Sequence, residues 1–272
     1  MPQDRLARLP NRHRAFLERA LAAVPGVEGI VGLAAGGSFI AGEIDEFSDL
    51  DLVLAVEPSS WPEILDRQQA IAAELDSSFL AGFTGEHVGE PRLLVCLYGP
   101  PLLHVDLKFV SLDDVHERIE DPVILWEVDG CLSAAFARAA PRYPTADPDW
   151  IEERFWIWAH YVADKIERGE IFEALDGLTF LRSAALAPLA FLGAGVEATG
   201  VRRVEDRLPA FTTDLERTVA GVDAAACAAA LEAAIDLYTE LRAAAAAPSD
   251  IEMSPVELEV RAYVQELPAR LQ

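Results

Sequence analysis

Gly36-Gly37-Ser38-Phe39-Ile40-Ala41-Gly42-Glu43-Ile44-Asp45-Glu46-Phe47-Ser48-Asp49-Leu50-Asp51-Leu52-Val53-Leu54 is the stretch on which the reading of this chain turns. At its end, Asp49 and Asp51 enter a strand whose other residues are apolar. Residues i and i+2 of a strand share a face, so the two carboxylates project together. Carboxylates placed side by side repel unless a cation or a shared proton relieves them, and hard oxygen donors suit magnesium or manganese. In the upstream half, Gly37-Ser38 follows a strand-like run and precedes a short helical stretch, Phe39-Ile40-Ala41. Glycine lets backbone approach a phosphate closely, and the free N–H groups at a helix start favour anions. Ser38 adds a hydroxyl donor. The two halves together describe a seat for a nucleoside triphosphate, with amides on the outer phosphates and metal between phosphate and carboxylate.

Working outward, strand-like runs cover residues 29–33, 50–56, 92–98 and 102–110, and the last two flank a turn at Gly99-Pro100-Pro101. Residues 62–75 carry a helical stripe of Ile64, Leu65, Ile71 and Leu75. Beyond Pro141-Arg142-Tyr143-Pro144 the pattern turns helical. Asp147-Pro148 is an N-cap and first-turn pair for a helix reaching residue 168. Further helices are expected over 171–192 with a kink at Pro188, 207–219, 223–246 and 254–267, the last opened by a Ser254–Glu257 capping box. The fold class expected is α+β: a mixed β-sheet flanked by helices over residues 1–141, then an α-helical bundle over 142–272.

Gly37-Ser38, ten intervening residues, and Asp49-Leu50-Asp51 between apolar residues resemble the signature of the nucleotidyltransferase superfamily of DNA polymerase β. A small catalytic domain followed by a helical one looks like the antibiotic nucleotidyltransferases that modify aminoglycosides or lincosamides. The motif likeness spans residues 27–110, and the helical half adds architecture alone. The resemblance implies a third carboxylate on a later strand, here Asp106, completing a site with Asp49 and Asp51 for Mg2+ or Mn2+, or acting as general base. Glu86 and Glu90 compete for the role of an acceptor-side base. His104 and Lys108 share the polar face of Asp106. Gly37 and Ser38 are the expected nucleotide-binding residues, joined by Lys165 on the first helix of the C-terminal half. Phe155, Trp158 and Val162 on that helix fall at core spacing. The implied reaction moves a nucleoside monophosphate, AMP in the first instance, from ATP or another NTP to a hydroxyl of a small molecule, releasing pyrophosphate. The family also leaves room for a site built at a homodimer interface.

Composition bounds the partners. The formal net charge is -24, with only two lysines, which speaks first to solubility; beyond that it disfavours a polyanionic nucleic acid and leaves a cationic acceptor as an alternative. Cys96, Cys131 and Cys227 show no paired spacing, which argues against structural zinc and a disulfide framework. The charged N-terminal stretch lacks the apolar core of a secretory signal, and no uninterrupted apolar run reaches ~20 residues. The expectation is a cytoplasmic enzyme without a membrane or nucleic-acid partner. Two alternatives stand beside it: transfer to a protein acceptor, as in toxin–antitoxin nucleotidyltransferases, and a nucleotide-binding module without turnover.

Overall fold

Strands β1 (Ile30–Ala35), β2 (Leu50–Val56), β3 (Phe79–Gly85), β4 (Glu90–Tyr98), β5 (Leu103–Ser111) and β6 (Val123–Glu127) form one mixed sheet, ordered β3-β4-β5-β2-β1-β6. The computed structural model describes residues 5–245 and 254–271. The chain divides into two units, Met1–Tyr143 and Pro144–Gln272. Only β2 and β5 run parallel; the other neighbours are antiparallel. That one parallel pairing sets Asp51 directly opposite Asp106.

Alternation gives the sheet a closed and an open face. Leu50, Leu52 and Leu54 of β2, Leu94, Cys96 and Tyr98 of β4, and Val105, Leu107 and Phe109 of β5 are buried in one cluster. Helices α1 (Asn11–Ala23) and α4 (Gln68–Leu75) supply the opposing layer through Phe16, Leu17 and Ala20, and through Ile71, Ala72 and Leu75. The buried positions 13, 16, 17 and 20 of α1 follow helical periodicity despite its charged composition. Phe16 meets Tyr98 edge-on at 4.6 Å, and the Tyr98 hydroxyl donates to the Ala72 carbonyl at 2.9 Å. Removing these side chains from water at roughly 25 cal/mol per Å² of apolar surface is what fixes the strand register, since a one-residue slip would turn every leucine outward.

On the open face, α5 (Cys131–Phe136) covers one end through Leu132 and Ala135, which pack on Ala34, Ala55 and Val110. The other end carries Asp51 and Asp106, both only partly buried. Between β1 and β2 lies the short helix α2 (Ser38–Ala41), closed by Gly42 in the left-handed conformation.

Several expectations change in detail. The helix expected over 62–75 is two, α3 (Trp61–Asp66) and α4, separated at Arg67, whose backbone leaves the helical region (φ -110°, ψ 9°). Strands β3 and β6 and helices α1 and α5 had no counterpart in the sequence reading.

The second unit is helical: α6 (Pro148–Glu167), α7 (Ile171–Leu181), α8 (Ala187–Ala194), α9 (Val204–Arg207), α10 (Pro209–Glu216), α11 (Ala224–Ala245) and α12 (Pro255–Arg270). Asp147 caps α6 by accepting the Asp149 and Trp150 N–H groups. The break expected at Pro188 is instead a π turn over Arg182–Leu186 that joins α7 to α8. A proline lacks the N–H that the preceding turn needs, so the wider turn falls just before it. The single helix expected over 207–219 is divided at Leu208, where the following Pro209 disfavours helical backbone (φ -134°). Position 246, expected in α11, lies outside the described residues. Residues 171–194 are long and apolar enough to cross a membrane, but Leu178, Leu181, Leu186, Leu189 and Phe191 lie in the core of this unit.

Ser254 accepts the Glu257 N–H, half of the expected capping box. The Glu257 carboxylate, fully buried, turns away to Arg242 (2.8 Å) and Arg261 (3.0 Å) and so ties α11 to α12. Glu257→Ala should destabilise this unit by about 1–3 kcal/mol, because Arg242 and Arg261 lose a charged hydrogen-bond partner but keep Glu152 and Asp236. Urea unfolding followed by far-UV circular dichroism measures the loss.

Candidate active site

The carboxylates of Asp49, Asp51 and Asp106 come together: one oxygen from each lies within 4.8 Å of the others. Asp49 precedes β2, Asp51 is its second residue, and Asp106 is its partner across the parallel register. The loop that delivers Asp49 is fixed from two sides. His13, buried on α1, donates its Nε2–H to the Ser48 carbonyl at 2.8 Å. Asp45 accepts from the Phe47 N–H (2.8 Å) and the Ser48 hydroxyl (3.0 Å), closing a turn directly before Asp49. The His104 ring lies 2.9 Å from Asp106 Oδ1 and orients that carboxylate from the same strand face.

Gly37 approaches this cluster as only a glycine can, and Gly36 ties it to β2. The Gly36 N–H donates to the Asp51 carbonyl at 2.8 Å, which pins the end of β1 to β2. Gly37 has φ 55° and ψ -137°, a region open to glycine, and a Cβ there would overlap Asp51 Oδ2. The next hydroxyl, Ser38 Oγ, is buried without a hydrogen-bond partner. A buried polar atom left unmatched costs about 1–3 kcal/mol, which a water or a ligand oxygen would recover. Three clustered carboxylates, a cradle without side chains and an orphaned hydroxyl fit a divalent cation and a phosphate together.

Glu90 has a different setting. Arg92 grips it through Nε (2.7 Å) and Nη2 (2.8 Å), and Lys108 Nζ adds a third contact at 3.0 Å. These hydrogen bonds and charges, Arg92 foremost, hold the Glu90 carboxyl down to about 2. Glu86 lies on the short turn before Gly89, outside this cluster of ion pairs. Lys165 belongs to the helical unit. Its ammonium lies 2.7 Å from Glu170 and 3.1 Å from Glu173, over the Tyr161 ring. Phe155 and Val162 are buried in the helical core, and Trp158 packs against Phe180 and Trp150. Burial pushes the Cys96 thiol up to about 12, so it is no nucleophile.

Two features escaped the sequence reading. The first is an apolar shelf continuing the acidic face. Val95 pairs with Asp106 and Leu97 with His104, while Phe83 and Ala81 of β3 pair with Val95 and Leu97 in turn. Directly opposed residues share a face and neighbouring strands lie ~4.8 Å apart, so this shelf begins one strand from Asp106. Phe83 is 55% exposed. The alternation of β4 was the available signal, but its partner β3 was not recognised. The second feature is Glu120, whose carboxylate accepts the Gly37 N–H at 2.6 Å across 83 residues of sequence. No local pattern announces such a contact.

No protein-family model matches the chain, and no curated protein matches it in sequence. Among solved structures it is similar to an aminoglycoside 6-adenyltransferase from Bacillus subtilis, at 13% identity and TM-score 0.40, over 93% of this chain and 97% of that one. It is also similar to a nucleotidyltransferase-like protein from Exiguobacterium sibiricum 255-15, at 14% identity and TM-score 0.32, over 94% and 85%. At these scores the likeness bears on neither activity nor substrate, and the functional reading rests on the geometry of the site.

The Glu90 cluster gives a signed pH dependence. The folded carboxyl lies below its ordinary 4.5, so its ion pairs contribute full stability above that value and lose it as pH falls through about 2. Arg92→Gln should move the Glu90 midpoint upward, toward 4.5, in a 13C carboxyl NMR titration. An unmoved midpoint would assign the depression to Lys108 instead.

Proposed function

We propose that the chain is a metal-dependent nucleotidyltransferase that moves a nucleoside monophosphate, AMP in the first instance, from a triphosphate to a hydroxyl of a small molecule. The convergence of Asp49, Asp51 and Asp106 beside the Gly37 cradle carries this reading. Asp49 and Asp51, with Asp106, would hold Mg2+ or Mn2+, which supplies Lewis-acid neutralisation of charge on the phosphates. The Gly37–Ser38 backbone and the orphaned Ser38 hydroxyl bind phosphate oxygens. Asp106, steadied by His104, takes the proton of the acceptor hydroxyl as its oxygen bonds to the α-phosphorus and the bond to the bridging oxygen breaks. Pyrophosphate leaves. Glu90, held ionised by Arg92 and Lys108, is too weak a base for that proton and lines the rim as a charged cluster. Lys165, expected on the phosphates, is held by Glu170 and Glu173 within the helical unit and takes no part in this step.

The open face favours an acceptor with an apolar side. A hydroxyl delivered to Asp106 places the rest of its molecule over Val95, Leu97 and Phe83, and the net charge of -24 favours a cationic group elsewhere on it. A lincosamide-like amphiphile fits that description better than a polycationic aminoglycoside. Magnesium, a nucleoside triphosphate and three unpaired cysteines suit a cytoplasmic enzyme.

Pyrophosphate release should be measured with each of four nucleoside triphosphates and magnesium or manganese, across lincosamides and aminoglycosides, with products identified by mass spectrometry. The expected outcome is acceptor-dependent release with a nucleotidyl mass gain, reduced on the order of 10³-fold in Asp51→Ala, the scale set by losing a group that acts on transition-state charge. Metal-dependent nucleotide binding without release would move the assignment to a protein acceptor or a binding module.

A further inference from the structure

Glu120 stands on the connection between β5 and β6, far in sequence from the motif it touches. Its Oε1 accepts the Gly37 N–H at 2.6 Å and lies 2.6 Å from where a Cβ on Gly36 would sit. The carboxylate therefore fills the place above the glycine pair that a phosphate oxygen needs. It does so beside Asp51, whose Cβ lies 3.8 Å from the same Gly36 position. A fourth carboxylate thus reaches the glycine pair beside β2, held there by a backbone amide.

The loop carrying it is built. The Arg118 side chain, 11% exposed, donates to the His116 carbonyl (3.2 Å) and the Ala139 carbonyl (2.8 Å) and pairs with Asp121 (2.5 Å). The Arg118 carbonyl in turn accepts the Arg142 N–H at 2.8 Å. Between these anchors Ile119 is 55% exposed and Glu120 is partly buried. The arm is anchored on both sides of Glu120, at Arg118 and Asp121, and the carboxylate reaches the Gly37 amide.

We propose that Glu120 is a selectivity residue of the phosphate seat: it occupies the Gly37 amide in the free chain and yields only to a metal-bearing polyphosphate. This rests on the nucleotidyltransferase reading above. A carboxylate tethered beside its partner competes at an effective concentration on the order of millimolar, which defeats a lone monoanion. A magnesium triphosphate brings several phosphate contacts at once, together with the cations that relieve Asp49, Asp51 and Asp106. The seat then reads polyphosphate and metal jointly. If Glu120 occupies the amide for about nine-tenths of the time, apparent affinity for the triphosphate falls about tenfold, in proportion to the open fraction.

The test is calorimetric binding of ATP and of inorganic tripolyphosphate, each with magnesium, to the wild-type chain, Glu120→Gln and Glu120→Ala. Glu120→Ala should bind both probes about tenfold more tightly. Glu120→Gln should gain less, since its amide oxygen still accepts from Gly37 but carries no charge. An equal gain for the base-free probe places the effect on the phosphates. Unchanged or weaker binding in Glu120→Ala overturns the selectivity role and leaves the nucleotide reading standing. No binding by any of the three proteins overturns both. Hydrogen exchange of the wild-type chain makes the test independent of variant folding. Saturating magnesium tripolyphosphate should speed exchange across residues 116–122 while Gly37 and Ser38 stay protected, and an unaltered loop contradicts the displacement.

Discussion

Like-charge repulsion among three carboxylates is the constraint on which the first unit depends. Oxygens of Asp49, Asp51 and Asp106 lie within 4.8 Å of one another, and at an effective dielectric of ~20 each such pair repels by about 3 kcal/mol. The fold must hold the three together against that force. The parallel β2–β5 register aligns Asp51 with Asp106, and the leucines behind them make a slip of that register costly. His13 and the Asp45 turn hold Ser48, which leaves Asp49 little freedom to swing outward. A scaffold that opposes its own charges in this way suits a divalent cation.

The positive charge in the neighbourhood is already committed. Arg92 and Lys108 are joined to Glu90, and Glu90 stays ionised because of them. That cluster, two cations to one carboxylate, sets a positive corner beside the acidic one, while the apolar shelf of Val95, Leu97 and Phe83 extends to the sheet edge. The open face is therefore acidic near Asp106 and apolar beyond it.

What could be read from the sequence followed from periodicity. The i, i+2 spacing of Asp49 and Asp51 and the polar face of His104, Asp106 and Lys108 each followed from strand alternation, and β2 occupies the expected residues. Elements whose residues blur that signal were hidden. Strand β3 holds Gly82 and Gly85 and exposes Leu80 and Phe83, as an edge strand does, so it shows no clean buried face. Helix α1 is rich in arginine, and its stripe of His13, Phe16, Leu17 and Ala20 is short. Leu208 and Pro209 show the converse: a helical pattern was read through a proline that local backbone sterics do not allow. The Glu120 contact depends on tertiary placement alone, and a Glu-Asp-Pro turn reads as solvated loop until the sheet brings it to Gly37.

The central claim is that Asp49, Asp51 and Asp106 form a cation site that works together with a triphosphate. Electron paramagnetic resonance of Mn2+ titrated into the chain, with and without ATP, tests it most directly, because free manganese gives a sharp six-line spectrum that is lost on binding. The account predicts loss of the free signal at one or two ions per chain, tighter binding when ATP is present, and return of the free signal in folded Asp51→Asn. Manganese that stays free in the wild-type chain with ATP present, or that binds equally well in Asp51→Asn, would contradict it.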